Sequence, residues 1–199
     1  MTSALLAAYP EMFAGGAIIA GLPFGAASNL WGALAAMKGN TDRSPAELGD
    51  KVRAASGHRG QWPKISVWHG GSDNTVAPSN ADAIVRQWCN VHKIDEGAPI
   101  EARVAGHLRH FWTNSLGIPV IERFIVPGLG HGVPVDTLGK KGRVYGTVYG
   151  TTAPYFEDVG ISSTGHIARF WGLTSHECNI LSFDPARKAR AVSVASAVE

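Results

Sequence analysis

Three short apolar runs limit what this chain can become. Residues 16–20 (GAIIA), 64–69 (KISVWH) and 120–126 (VIERFIV) have the length of strands, and each empties into a glycine-rich loop. Near-continuous hydrophobicity of this kind suits strands covered on both faces, the condition of a parallel sheet. The stretches between them carry helical signals. Residues 2–9 are small and apolar and are closed by Pro10, and residues 29–37 hold a short helix containing Trp31. Ser44, Pro45 and Glu47 stand at the N-cap, first-turn and third positions of a helix expected to run to about Ala55. Ile84, Val85 and Trp88 stripe a further helix, capped by Ser79 or Asn80 and reaching Val91. A last amphipathic helix is predicted over residues 161–171, with Ile161, Ile167, Phe170 and Trp171 facing inward. Strands alternating with helices predict an α/β fold, a mostly parallel sheet layered with helices. Residues 97–113 are polar and read as an irregular excursion, residues 140–147 as a hairpin arm or surface loop, and the chain beyond about residue 174 as a tail.

Composition removes several function classes. Eighteen Lys and Arg against 16 Asp and Glu leave a formal charge of +2, with no polybasic run beyond the small group Arg187, Lys188 and Arg190. That balance gives no basis for nucleic-acid binding or membrane-surface attraction. The apolar stretches are too short and too glycine-interrupted to span a bilayer. The first residues have no basic segment and Glu11 breaks their apolar run, so a chain translated from Met1 is expected to stay in the cytoplasm. Cys89 and Cys178 have no redox or metal spacing and are expected to be free thiols. His58, His92, His107, His110, His166 and His176 show no ligand spacing either, so neither a metal nor a cofactor is expected.

Chemistry in open α/β sheets collects in loops at the carboxyl ends of the strands. Three such loops follow the three runs: residues 21–25, 69–78 and 127–132. Asp73 sits in the second and His131, between two glycines, in the third. An Asp that accepts from an imidazole Nδ1–H makes the imidazole a general base able to take a proton from a hydroxyl. Taken alone, Asp73 could equally be a turn former and His131 a loop residue. His69 is placed to hold the Asp73 loop, with Asn74 and Thr75 as its supports. Phe24 and Trp31 follow the first run, where they either line a substrate pocket or fill the core beneath a loop.

Four passages, residues 1–25, 62–88, 126–134 and 160–173, together resemble the polyhydroxybutyrate (PHB) depolymerase family of esterases, a branch of the α/β-hydrolases that also holds feruloyl and acetylxylan esterase-like members. The resemblance implies a three-layer α/β-hydrolase fold, here one partial domain over residues 1–199 that forms the C-terminal half of the sheet. It implies Asp73 as triad acid, His131 as triad base, no cofactor, and an ester substrate: a polyhydroxyalkanoate, aromatic or acetyl ester. It also implies an extracellular setting, since the family is mostly secreted. The departure is that no Gly-x-Ser-x-Gly occurs anywhere in the sequence, although the family's elbow stands just ahead of the helix that residues 1–9 match. Ser3, Ser28, Ser72, Ser162 and Ser163 all have ordinary turn, capping or helical readings. Two expectations follow: a serine carboxylic ester hydrolase whose Ser is missing from this chain, or a catalytically inactive remnant acting as a binding or partner module. A sheet edge left exposed suggests self-association.

Overall fold

The computed structural model describes residues 1–40, 43–137 and 150–174. The three apolar runs become parallel strands β1 (Gly15–Ile19), β2 (Lys64–Gly70) and β5 (Pro119–Val126). Between β2 and β5 the chain adds an antiparallel pair, β3 (Ile100–Val104) and β4 (His107–Thr113), giving one five-stranded sheet in the order β1-β2-β5-β4-β3. Within the described residues β1 and β3 are the edges of this sheet. A short parallel pair, β6 (Val133–Val135) with β7 (Phe156–Asp158), stands apart beyond the carboxyl end of β5.

The helices cover both faces. Ile18 of β1, Ile65 and Val67 of β2 and Ile121 of β5 pack with Val52 of α3 (Pro45–Ala54) and with Ile84, Val85 and Trp88 of α4 (Ser79–His92). Leu6 of α1 (Thr2–Ala8) enters the same layer and closes over Gly16, where a Cβ would meet its side chain at 2.4 Å. On the opposite face Trp68 and Phe124 stack at 4.0 Å and join Ile161 and, from α5 (Ser163–Phe170), Ile167. Helix, sheet, helix: this is the layered α/β-hydrolase-like arrangement, as a partial domain.

Local signals explain most boundaries. Ser44 and Glu47 form the reciprocal capping box that starts α3, and Asn29 caps α2 (Leu30–Met37) by accepting from the Gly32 N–H. At α4 the sequence expectation needs correcting. Pro78 is the N-cap, and Asn80 is instead buried with its amide donating to the carbonyls of Ala36 and Ala77. The excursion expected over residues 97–113 is also corrected, since it contains β3 and β4 joined by the two-residue turn Ala105-Gly106. Both turn residues have positive φ, 51° and 86°, the signature of a type I′ hairpin. Polar side chains hid this pair. Arg109 donates from Nε to Glu122 Oε2 at 2.7 Å, and Glu122 also accepts from Ser66 Oγ at 2.7 Å, so the charges serve a buried network in the sheet. Residues 140–147, Cys178 and the tail lie outside the described residues, whereas Cys89 is buried in the α4 face of the core.

Candidate active site

The carboxyl ends of β2 and β5 are adjacent because the two strands pair in parallel, Gly70 against Val126. Their following loops are then stitched together by backbone bonds, Gly71 N–H to Val126 O at 2.8 Å and Ser72 N–H to Leu129 O at 3.0 Å. Contact is so close that a Cβ on Gly70 would lie 2.1 Å from the Gly130 carbonyl oxygen and 2.2 Å from that of Leu129. Glycine at position 70 is what lets the two loops meet.

Asp73 and His131 come together across this seam. His131 Nδ1 lies 2.9 Å from Asp73 Oδ2. The other carboxylate oxygen, Oδ1, accepts from the Thr75 N–H at 2.9 Å and the Val76 N–H at 2.8 Å. Burial works against ionisation of Asp73, yet the Val76 N–H, the His131 ring and the Thr75 N–H together outweigh it and hold the carboxyl below its usual range. An ionised, wholly buried carboxylate thus fixes Nδ1 of His131 as the protonated nitrogen, leaving Nε2 as the basic one. The His131 side chain is 34% exposed, so that nitrogen can meet a substrate.

His69 lies against the acid loop. Its buried Nε2 donates to the Val76 carbonyl at 2.9 Å and lies 3.3 Å from Asp73 Oδ2, tying the end of β2 to the far side of the acid loop. Thr75 contributes its N–H and lines the cavity beside His131, and the Asn74 carbonyl accepts from Lys38 Nζ at 3.2 Å. That cavity, about 410 Å³, is bounded by Ile19, Ala20, Thr75, His131, Gly132, Val133 and Tyr155.

Neither proposed pocket aromatic is part of it. Phe24 packs against the α3–α4 core, its backbone clamped by the Gln87 amide, which accepts from its N–H and donates to its carbonyl, both at 2.9 Å. Trp31 is 80% exposed on α2. Tyr155 escaped notice in the sequence, because nothing local announces that residues 150–156 return to the base loop. That return is made by the Val133 N–H, which donates to the Tyr155 carbonyl at 2.7 Å.

Three of the five serines are engaged elsewhere. Ser3 Oγ donates to the Leu22 carbonyl, Ser163 Oγ to the Pro134 carbonyl, and Ser162 Oγ accepts from the Gly165 N–H as the cap of α5. Within the described residues, no group of three or more His, Cys, Asp or Glu is placed to hold a metal ion, and no helix is long and apolar enough to cross a membrane.

The sequence and the fold both resemble those of known proteins. The chain is 38% identical over 174 residues to the poly(3-hydroxyalkanoate) depolymerase C of Paucimonas lemoignei, covering 87% of this chain and 41% of that protein. It is 34% identical over 139 residues to an acetylxylan esterase of Coprinopsis cinerea, covering 67% of this chain and 37% of that protein. In three dimensions it matches the acetyl xylan esterase from Aspergillus awamori with a TM-score of 0.64 at 18% identity, over 87% of this chain and 55% of that one. The chain belongs to the α/β-hydrolase esterase superfamily. No family model matches it. As a member of the superfamily it spans only about two fifths of the length of these curated relatives, 41% and 37%.

Proposed function

We propose that this chain is the acid–base half of a serine carboxylic ester hydrolase of the PHB depolymerase and feruloyl esterase-like group, and that its 199 residues alone are catalytically silent. The observation that carries the reading is the His131 Nδ1 to Asp73 Oδ2 contact of 2.9 Å on a carboxylate already held by two backbone N–H groups. In the complete site a serine hydroxyl would give its proton to His131 Nε2 while attacking the ester carbonyl. Asp73 would stabilise the imidazolium, and the same proton would then pass to the leaving alcohol as the C–O bond breaks. Water, activated by the same imidazole, would release the acyl group. The alignment with a poly(3-hydroxyalkanoate) depolymerase and an acetylxylan esterase supports polyhydroxyalkanoate or acetyl esters as the substrate class.

Silence follows from the missing partner. Losing a triad nucleophile typically costs on the order of 10⁶ in kcat. The purified chain is therefore expected to leave a p-nitrophenyl ester unhydrolysed above background and to resist labelling by a serine-reactive fluorophosphonate. Turnover that disappears in His131→Ala would overturn this and place a nucleophile within the chain.

One observation favours a role for the silent chain as a partner module. Edge strand β1 is flanked by exposed apolar side chains, Leu5 at 42%, Tyr9 at 55%, Met12 at 73% and Phe13 at 38%. An apolar flank beside a strand edge suits a second copy of the chain adding to the sheet. Sedimentation velocity over a concentration series should then show reversible dimerisation that Met12→Lys weakens; a monomer at every concentration would remove this reading.

A further inference from the structure

Four non-glycine residues within the described chain have left-handed backbones: Ala20, Lys93, Ala105 and Tyr155. Three have ordinary reasons: Lys93 as the C-cap of α4, Ala105 as the first residue of the hairpin turn, and Tyr155 as the third residue of the turn Ala153-Pro154-Tyr155-Phe156, which the Phe156 N–H closes by donating to the Ala153 carbonyl at 2.8 Å. Ala20, at φ 48°, and Tyr155, at φ 66°, both line the His131 cavity. A bulky side chain in this conformation is unusual, and glycine would occupy it without strain. Tyr155 gains little burial in exchange, for it is 69% exposed. Its ring instead stands edge-on to the His131 imidazole, centroids 6.4 Å apart and planes at 84°.

We infer that Tyr155 is a specificity-determining residue that, with Val133, walls the subsite for the leaving-alcohol portion of the ester. This rests on the ester-hydrolase reading above. The side of the cavity follows from the chemistry: the proton on His131 Nε2 goes to the alcohol oxygen as it departs, so the group attached to that oxygen must lie against whatever flanks the imidazole. Tyr155, Gly132 and Val133 flank it. A tyrosine ring and an apolar valine lining the same cavity favour an alcohol with an extended apolar or aromatic face over a short alkyl one.

Because the chain is silent, simple esters serve as stable ligands. Phenyl acetate and ethyl acetate share their acyl group and differ only in the alcohol, and their binding can be followed through the ring resonances of isotopically labelled His131. The wild-type chain is expected to prefer phenyl acetate. Tyr155→Ala should reduce that preference about 3- to 10-fold, while Tyr155→Phe should retain it. Tyr155→Gly guards against misfolding, since glycine relieves the backbone and should match or exceed wild-type thermal stability while losing the preference. If both esters still move the His131 resonances and the ratio stays the same in the Ala and Gly variants, the assignment of Tyr155 is overturned and the ester site stands. If neither ester moves them in the wild type, both readings fall together.

Discussion

Gly70 shows how much of the site depends on one missing methyl group. Alanine there would press its Cβ against two backbone carbonyls, Gly130 O at 2.1 Å and Leu129 O at 2.2 Å, and backbone cannot swing aside as a side-chain tip can. We expect Gly70→Ala to cost about 3 kcal/mol in urea denaturation, at the upper end of overpacking penalties. The substitution should also part the acid and base loops, seen as loss of the protected Nδ1–H signal of His131. Loop placement after apolar strands singles out Asp73 and His131 only as candidates, with turn and loop roles open until the family resemblance is added; that they meet follows from the adjacent parallel strand ends. Tyr155 was not legible: its left-handed backbone belongs to the local turn closed by the Phe156 N–H on the Ala153 carbonyl, but its nearness to His131 depends on the Val133 N–H donating to its carbonyl from 22 positions away. Trp31 follows the first strand and is expected either to line a pocket or to fill the core beneath a loop; within the described residues α2 presents Leu30 and Trp31 to solvent at 71% and 80% exposure.

Individual elements divide along similar lines. Helix α3 could be read almost residue by residue, because a capping box is a local contract: Ser44 Oγ accepts from the Glu47 N–H at 3.2 Å and Glu47 Oε2 accepts from the Ser44 N–H at 2.7 Å. Ser44→Ala should therefore lower stability by about 1 kcal/mol by thermal or urea unfolding. It should leave the His131 ring resonances unmoved, as α3 does not line the cavity. The hairpin β3–β4 could not be read this way. Its polar groups are satisfied across strands, Arg109 by Glu122 and His110 Nδ1 by accepting from Arg123 Nη2 at 3.1 Å, so a partner distant in sequence makes polar residues acceptable in a strand. Antiparallel strands added to a parallel core also escape the continuous-apolar signature by which β1, β2 and β5 were found.

At the scale of the whole molecule, both helical layers carry a histidine that must stay neutral. His92, at the end of α4, is pushed down to about 4 chiefly by burial, with the hydrogen bond to the Pro63 carbonyl acting in the opposite direction. His166, beside Trp68 and Phe124 under the other face, is pushed down to about 3, first by burial and then by the nearby charges of Arg169, Arg109 and His107. In the unfolded chain each would titrate near 6.5, so between that pH and its folded value the unfolded state binds a proton that the folded state refuses. Stability from these groups is therefore fully present above pH 6.5 and declines as the solution is acidified. Each histidine contributes up to about 1.4 kcal/mol per pH unit over that window. Asp73 adds a later loss with the same direction. Its folded pKa is depressed, so its contribution holds above the unfolded value near 3.8 and fades only as pH falls below that. Urea midpoints should accordingly be flat from pH 8 to 7 and fall from 6.5 to 5 by an amount corresponding to about 2 kcal/mol for each histidine. His92→Gln should remove one share of the slope and His166→Gln the other, and additivity in the double variant would show that acid attacks the two faces of the sheet independently. A slope unchanged by either substitution would mean that neither histidine is held neutral by the layers that cover it.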